Sequence, residues 1–212
     1  MEIILQNIGK KFERSWIFSE VNYTFKSGKK YAILGSNGSG KSTLLQVISG
    51  YISQTKGDIF YIKEGKKIVP QGFYKYISLA TPYLDLPEEL TLIEMLSFHA
   101  RFRKPYLPFD GIIERLYLQK EINKQIKDFS SGMRQRVRLG LALLYSSEII
   151  LLDEPTTHLD SAGISWYLQL IQDFTADRCL IISSNQLEEY SFCDENILVE
   201  NYKSVPLKKI NM

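Results

Sequence analysis

The sequence predicts an α/β protein with a mostly parallel sheet, antiparallel β elements at its N-terminal end and a helical subdomain over about residues 88–147. Three observations carry this. Short apolar runs bounded by turn residues fill the first part of the chain, and a Gly-rich stretch at 35–40 joins an apolar run to a helical one. The middle reads as successive helices, after which strands and helices alternate again. The whole of 1–212 is read as one domain, long enough to bury roughly 70% of its unfolded surface.

In chain order, the apolar runs at 3–5, 16–18 and 21–25 read as strands, with Ser27-Gly28 as a turn. Tyr31-Ala32-Ile33-Leu34 is a fully buried strand. Leu44, Leu45, Val47 and Ile48 then recur at helical spacing until Gly50, a suitable C-cap. Residues 59–62 read as a strand, and 64–87, broken by Pro and Gly, as mostly loop around 76–79. Residues 91–103 are helical until Lys104-Pro105-Tyr106-Leu107-Pro108 interrupts them, and a second helix follows near 111–118. Met133, Val137, Leu141 and Leu144 stripe a helix starting near Ser130, and 149–152 is a buried strand. Strands at 179–183 and 197–199, with helices near 161–174 and 186–192, complete the sheet.

Composition bounds the function classes. A hydrophobic share of 44% and a charged share of 24% belong to an ordinary folded chain, and a net charge of +2 is too small to argue for nucleic acid or a polybasic anchor. The two cysteines, Cys179 and Cys193, have no Cys or His at ligand spacing, which disfavours zinc. The first residues lack a secretory pattern, and the most apolar stretch, 139–152, is shorter than the roughly 18 residues a membrane span needs. The expectation is a cytoplasmic protein; if it serves a membrane, another chain supplies the spans.

Two motifs carry chemistry. Gly35-Ser36-Asn37-Gly38-Ser39-Gly40-Lys41-Ser42 fits G-x-x-x-x-G-K-[ST] between a buried strand and a helix that continues through Thr43. By chance the bare pattern arises in on the order of 1% of chains this long, and the flanking elements make it rarer. Backbone N–H groups must converge on anionic oxygens, so glycines are needed where the chain turns tightly around a triphosphate. Lys41 would reach the terminal phosphates and the Ser42 hydroxyl would ligate Mg²⁺. Residues 149–152 lead into Asp153 and Glu154, which places two carboxylates at the carboxyl edge of the sheet. Asp153 would bind Mg²⁺ directly or through water, and Glu154 would take a proton from, or orient, the attacking water. The fold class is therefore a P-loop NTPase.

Phe129-Ser130-Ser131-Gly132-Met133-Arg134-Gln135-Arg136 resembles the signature of ATP-binding-cassette (ABC) ATPases, usually LSGGQ followed by a basic residue and Gln-Arg. Pro155-Thr156-Thr157-His158-Leu159-Asp160 is similar to that family's proline turn and D-loop, ending at Asp160. The resemblance runs from about 2 to about 200 and implies a subunit that binds and hydrolyses Mg-ATP in a head-to-tail dimer. In that dimer Ser130 and Gly132, flanked by Ser131 and Met133, contact the γ-phosphate held by the other protomer. It further implies separate transmembrane permease subunits, a peripheral place on the inner face of the cell membrane, and no nucleic-acid partner. Phe12 holds the place of the adenine-stacking aromatic, with a core role as the alternative.

The chain departs from the family in four places. Ser131 and Met133 replace a Gly and a Gln of the signature, from which altered affinity is expected. A Gln normally ends the strand near 80; Gln71 is too early, and Ala80 and Thr81 are the nearest residues to that place. Asn185 stands where the family has a γ-phosphate-contacting His, and an amide donates but does not titrate near neutrality. Slow hydrolysis is the expectation, with Glu154, Lys41 and Asn185 as the catalytic set.

Arg134, Arg136 and Arg138 are expected on a solvated or subunit-facing surface, and His99 in a structural role. Tyr83, Leu84, Leu86, Leu90, Leu92, Ile93 and Met95 surround the region where transport cassettes receive coupling helices, with core packing as the equal alternative. A transporter subunit is the first reading, its size resembling small exporter-type ATPases. A soluble ABC ATPase of macromolecular assembly and an ATP-sensing module with weak turnover are the alternatives.

Overall fold

The computed structural model describes residues 1–203, apart from the side chains of Pro70 and Gln71. In chain order its elements are strands β1 (Glu2–Phe12), β2 (Ser15–Lys26) and β3 (Lys30–Leu34), helix α1 (Lys41–Ile48), strands β4 (Lys56–Lys63) and β5 (Lys66–Ile68), helix α2 (Pro70–Phe73) and strand β6 (Ile77–Ala80). Helices α3 (Leu92–Ala100), α4 (Phe109–Leu116) and α5 (Ser131–Leu143) follow, then β7 (Ile149–Asp153), α6 (Ser161–Phe174), β8 (Cys179–Ser183), α7 (Leu187–Tyr190) and β9 (Glu195–Leu198). A short 3₁₀ turn covers Val199–Tyr202.

The strands form two sheets. One is antiparallel in the order β2-β1-β4-β5, and the other is parallel in the order β6-β7-β8-β3-β9. The N-terminal segment differs from its sequence reading: the separate runs at 3–5, 16–18 and 21–25 belong to two long paired strands. Register shifts between Leu5 and Ile8 and between Ile8 and Lys10, with Asn7 and Glu20 at positive φ, break the alternation that would have revealed their length. The stretch read as loop, 64–87, likewise contains β5, α2 and β6, each too short to show a period.

Successive residues of the parallel strands feed opposite cores. Ile150 and Leu152 of β7 and Leu180 and Ile182 of β8 pack with α3, α4, α5 and α6, while Ile149, Leu151, Cys179 and Ile181 pack with α1 and the antiparallel sheet. Burial on both faces explains why these strands are continuously apolar. The buried Arg178 donates to the carbonyls of Ala142, Leu143 and Tyr145, so one guanidinium satisfies the C-terminal end of α5 where helical partners are missing. Its pKa is pushed down to about 10 by burial. Among the described residues no helix is long and apolar enough to cross a membrane.

Candidate active site

The Gly-rich loop leaves the carboxyl end of β3 and ends at Gly40, the N-cap of α1, with φ +108°. A Cβ there would stand 2.4 Å from Ile17 Cγ2, so both the left-handed backbone and the close approach require glycine. The first helical hydrogen bond of α1 runs from Leu44 N to Gly40 O at 2.8 Å. The N–H groups of Lys41, Ser42 and Thr43 therefore precede the helical ladder and lie at its positive end. Lys41 is almost wholly buried, and its Nζ donates to Gly35 O at 2.9 Å and Ser36 O at 3.3 Å.

Sheet register brings Asp153 to this loop. Ile33 of β3 pairs with Ser183 of β8, which pairs with Asp153 of β7, so the carboxylate lies one strand removed from the loop's origin. Burial pushes its pKa up, while the neighbouring Ser183 and Ser42 hydroxyls and the Lys41 charge pull it back. Asp153 Oδ1 is a buried acceptor with no hydrogen-bond partner. An unpartnered carboxylate oxygen beside a serine hydroxyl is an all-oxygen donor set, which fits a hard divalent cation.

Glu154 is the residue where the chain turns off the sheet, at φ +45°, with its N–H donating to Ser183 O at 2.8 Å. It lines a cavity of about 350 Å³ together with Asn37, Gly38, Lys41, Ser42 and Thr43. Asn185, just past β8, donates from Nδ2 to Asn37 Oδ1 at 2.6 Å, which places it at the loop's tip. The loop, both carboxylates and Asn185 thus converge on one place.

The signature segment stands apart from it. Ser130 caps α5 by accepting from Met133 N at 3.2 Å, and Ser130 and Ser131 are exposed; neither they nor Gly132 and Met133 line the cavity. Asp160 caps α6, its Oδ1 accepting from Gly163 N at 2.7 Å. Phe12 is 49% exposed with Lys10 Nζ 4.9 Å from its ring centre, which removes the core alternative; it does not line the cavity.

The structure also places the remaining residues singled out in the sequence. Ala80 and Thr81 are buried, and the residue of that segment lining the cavity is Tyr83. Leu92 and Met95 belong to the core, whereas Tyr83 and Leu84 are exposed. Arg134, Arg136 and Arg138 are partly exposed and also make intrachain contacts. Arg134 pairs with Glu88 at 2.7 Å, Arg136 lies over the Trp166 and Tyr117 rings, and Arg138 donates to Leu84 O at 3.2 Å. His99 stacks edge-on against Tyr145, and burial lowers its pKa to about 4.

Sequence reasoning also missed Ile17, Gln135, Glu189 and Glu200. The Glu200 carboxylate accepts from Ser36 N at 2.6 Å and from Ser36 Oγ at 2.9 Å. Only Gln135 carried a signal, as the Gln of the signature's Gln-Arg. Tertiary contacts alone reveal the other three.

Comparison with known proteins shows the family. The family model described as ABC transporter matches residues 18–157. YybJ, an ABC transporter ATP-binding protein of Bacillus subtilis, is 31% identical over 192 residues, covering 89% of this chain and 88% of the relative. SrtF, a lantibiotic transport ATP-binding protein of Streptococcus pyogenes, is 30% identical over 196 residues, with 87% and 80% covered. Among solved structures, the dimeric form of MJ0796, a bacterial ABC transporter cassette, superposes with a TM-score of 0.77 at 24% identity, covering 92% of this chain and 93% of that one. The chain therefore belongs to the ABC transporter family, as one of its ATP-binding, ATP-hydrolysing cassettes.

Proposed function

We propose that this cassette binds Mg-ATP in the cavity over Gly35–Thr43, hydrolyses it slowly in a head-to-tail dimer, and thereby drives separate transmembrane subunits from the inner face of the membrane. One observation carries the dimer: each chain has an ATP cavity containing Glu154 and, away from it, an exposed α5 N-terminus capped by Ser130. A helix N-terminus and a serine hydroxyl suit an anion. A second copy would bring its own α5 end, with Ser131, Gly132 and Met133, to the first copy's phosphates.

Within the cavity, Lys41 moves donors from the Gly35 and Ser36 carbonyls to the terminal phosphates. Ser42 and Asp153 would hold the cation. When bound there, Mg²⁺ would offset part of the negative charge of the triphosphate. Glu154 orients the water and takes its proton, Asn185 donates an uncharged hydrogen bond to the γ-phosphate, and the exposed Phe12 ring stacks on the base. Asp160 fixes the start of α6 beside the signature turn.

The assignment is tested by ATP binding and phosphate release for wild type, Lys41→Ala and Glu154→Gln. Lys41→Ala should lose tight ATP binding, and Glu154→Gln should bind ATP yet release phosphate at least about a hundredfold more slowly. Wild-type phosphate release by Glu154→Gln would remove Glu154 from the role of base.

A further inference from the structure

The turn that carries Glu154 is held from two sides by buried polar side chains that the mechanism above does not use. Glu154 is a non-glycine residue in the left-handed region, a conformation that persists only where the surroundings fix it. From α5, the Gln135 amide donates to Pro155 O at 2.7 Å. From α7, Glu189 Oε1 accepts the Thr156 N–H at 2.7 Å and also the Thr156 hydroxyl. Gln135, Thr156 and Glu189 are 3%, 4% and 0% exposed. A carboxylate excluded from water is costly unless its hydrogen bonds are specific. Burial raises the Glu189 pKa, and the hydrogen bonds from Thr156 only partly offset this.

Resting on the reading of Glu154 as the base, we infer that Gln135 and Glu189 are positioning residues for hydrolysis, clamping the 154–156 turn so that the Glu154 carboxylate meets the attacking water. The clamp also gives a physical route between distant parts. Gln135 lies on the helix that Ser130 caps, and Glu189 lies four residues beyond Asn185, so both the partner-facing helix and the segment after β8 bear directly on the base.

The experiment compares wild type with Thr156→Val, Glu189→Leu, Glu189→Gln and Glu154→Gln, measuring kcat and KM for ATP, melting temperature, and amide hydrogen exchange at 154–157. Thr156→Val keeps the shape and the backbone N–H while deleting the hydroxyl. Small displacements of a catalytic group cost up to about a hundredfold in rate. Thr156→Val should lower kcat about tenfold and Glu189→Leu more, with KM within about twofold and faster exchange at Thr156. Glu189→Gln, which keeps an acceptor, should recover most of the kcat lost in Glu189→Leu. Unchanged kcat in Thr156→Val and Glu189→Leu overturns the clamp. If Glu154→Gln is inactive in that case, the clamp alone fails; if Glu154→Gln is also active, the reading of Glu154 fails with it. A KM increase at constant kcat, or a lowered melting temperature with no change in kcat, also overturns it.

Discussion

Asn185 is one hydrogen bond from the Gly-rich loop, its amide donating to Asn37 at 2.6 Å. Asn185 is exposed in the single chain, and in the water-excluding site of the proposed dimer one such donor would be worth roughly 3 kcal/mol, or about a hundredfold in rate. Asn185→Ala should therefore reduce phosphate release by up to about a hundredfold with ATP affinity nearly intact. Steady-state phosphate release at saturating Mg-ATP measures this, with Glu154→Gln as the blank; a rate equal to wild type would show that Asn185 has no catalytic part. Residues fixed by local motif were legible at this scale. Lys41, Ser42, Asp153 and Glu154, which the structure gathers near one cavity, could be named as candidates because phosphate and metal chemistry dictates both residue type and spacing. Tyr83, Glu189 and Glu200 could not, since nothing local in the sequence says that Tyr83 lines the cavity, that Glu189 accepts from Thr156 or that Glu200 accepts from Ser36.

Elements were legible where one apolar pattern ran long enough. α3, α5, β7 and β8 match their sequence readings because helical stripes and doubly buried strands are unambiguous over their lengths. α3 owes its start to a capping box: Thr91 accepts from Glu94 N at 3.4 Å, and Glu94 Oε2 accepts from Thr91 N at 2.8 Å. Thr91→Ala should cost about 1 kcal/mol of stability, seen as a lower urea midpoint with an unchanged slope. A change of slope instead would mean that the helix is lost rather than frayed. β1 and β2 were fragmented in the reading because bulges shift the phase of alternation, and phase is a property of pairing rather than of either strand alone.

At the scale of the whole molecule, the proposed dimer would set the ATP cavity of one copy against the exposed α5 N-terminus of a second copy or a paired cassette. Glu154→Gln should elute as a dimer in saturating ATP and as a monomer without it. Adding Ser130→Glu to that variant should abolish the dimer, because a carboxylate would face the partner-bound phosphates. Size-exclusion chromatography reads both, and an ATP-bound dimer that survives Ser130→Glu would place the interface elsewhere.

The sequence alone determined the P-loop class, the two chemical motifs and the alternation of strands and helices, because phosphate binding and burial constrain residues that are neighbours in the chain. The tertiary structure alone decided that β8 lies between β3 and β7, bringing Asp153 toward the loop, and that Tyr83 rather than Ala80 or Thr81 faces the cavity. It also decided that Gln135 and Glu189 meet across the Glu154 turn. These facts depend on strand order and on contacts between residues far apart in sequence, which no local pattern encodes.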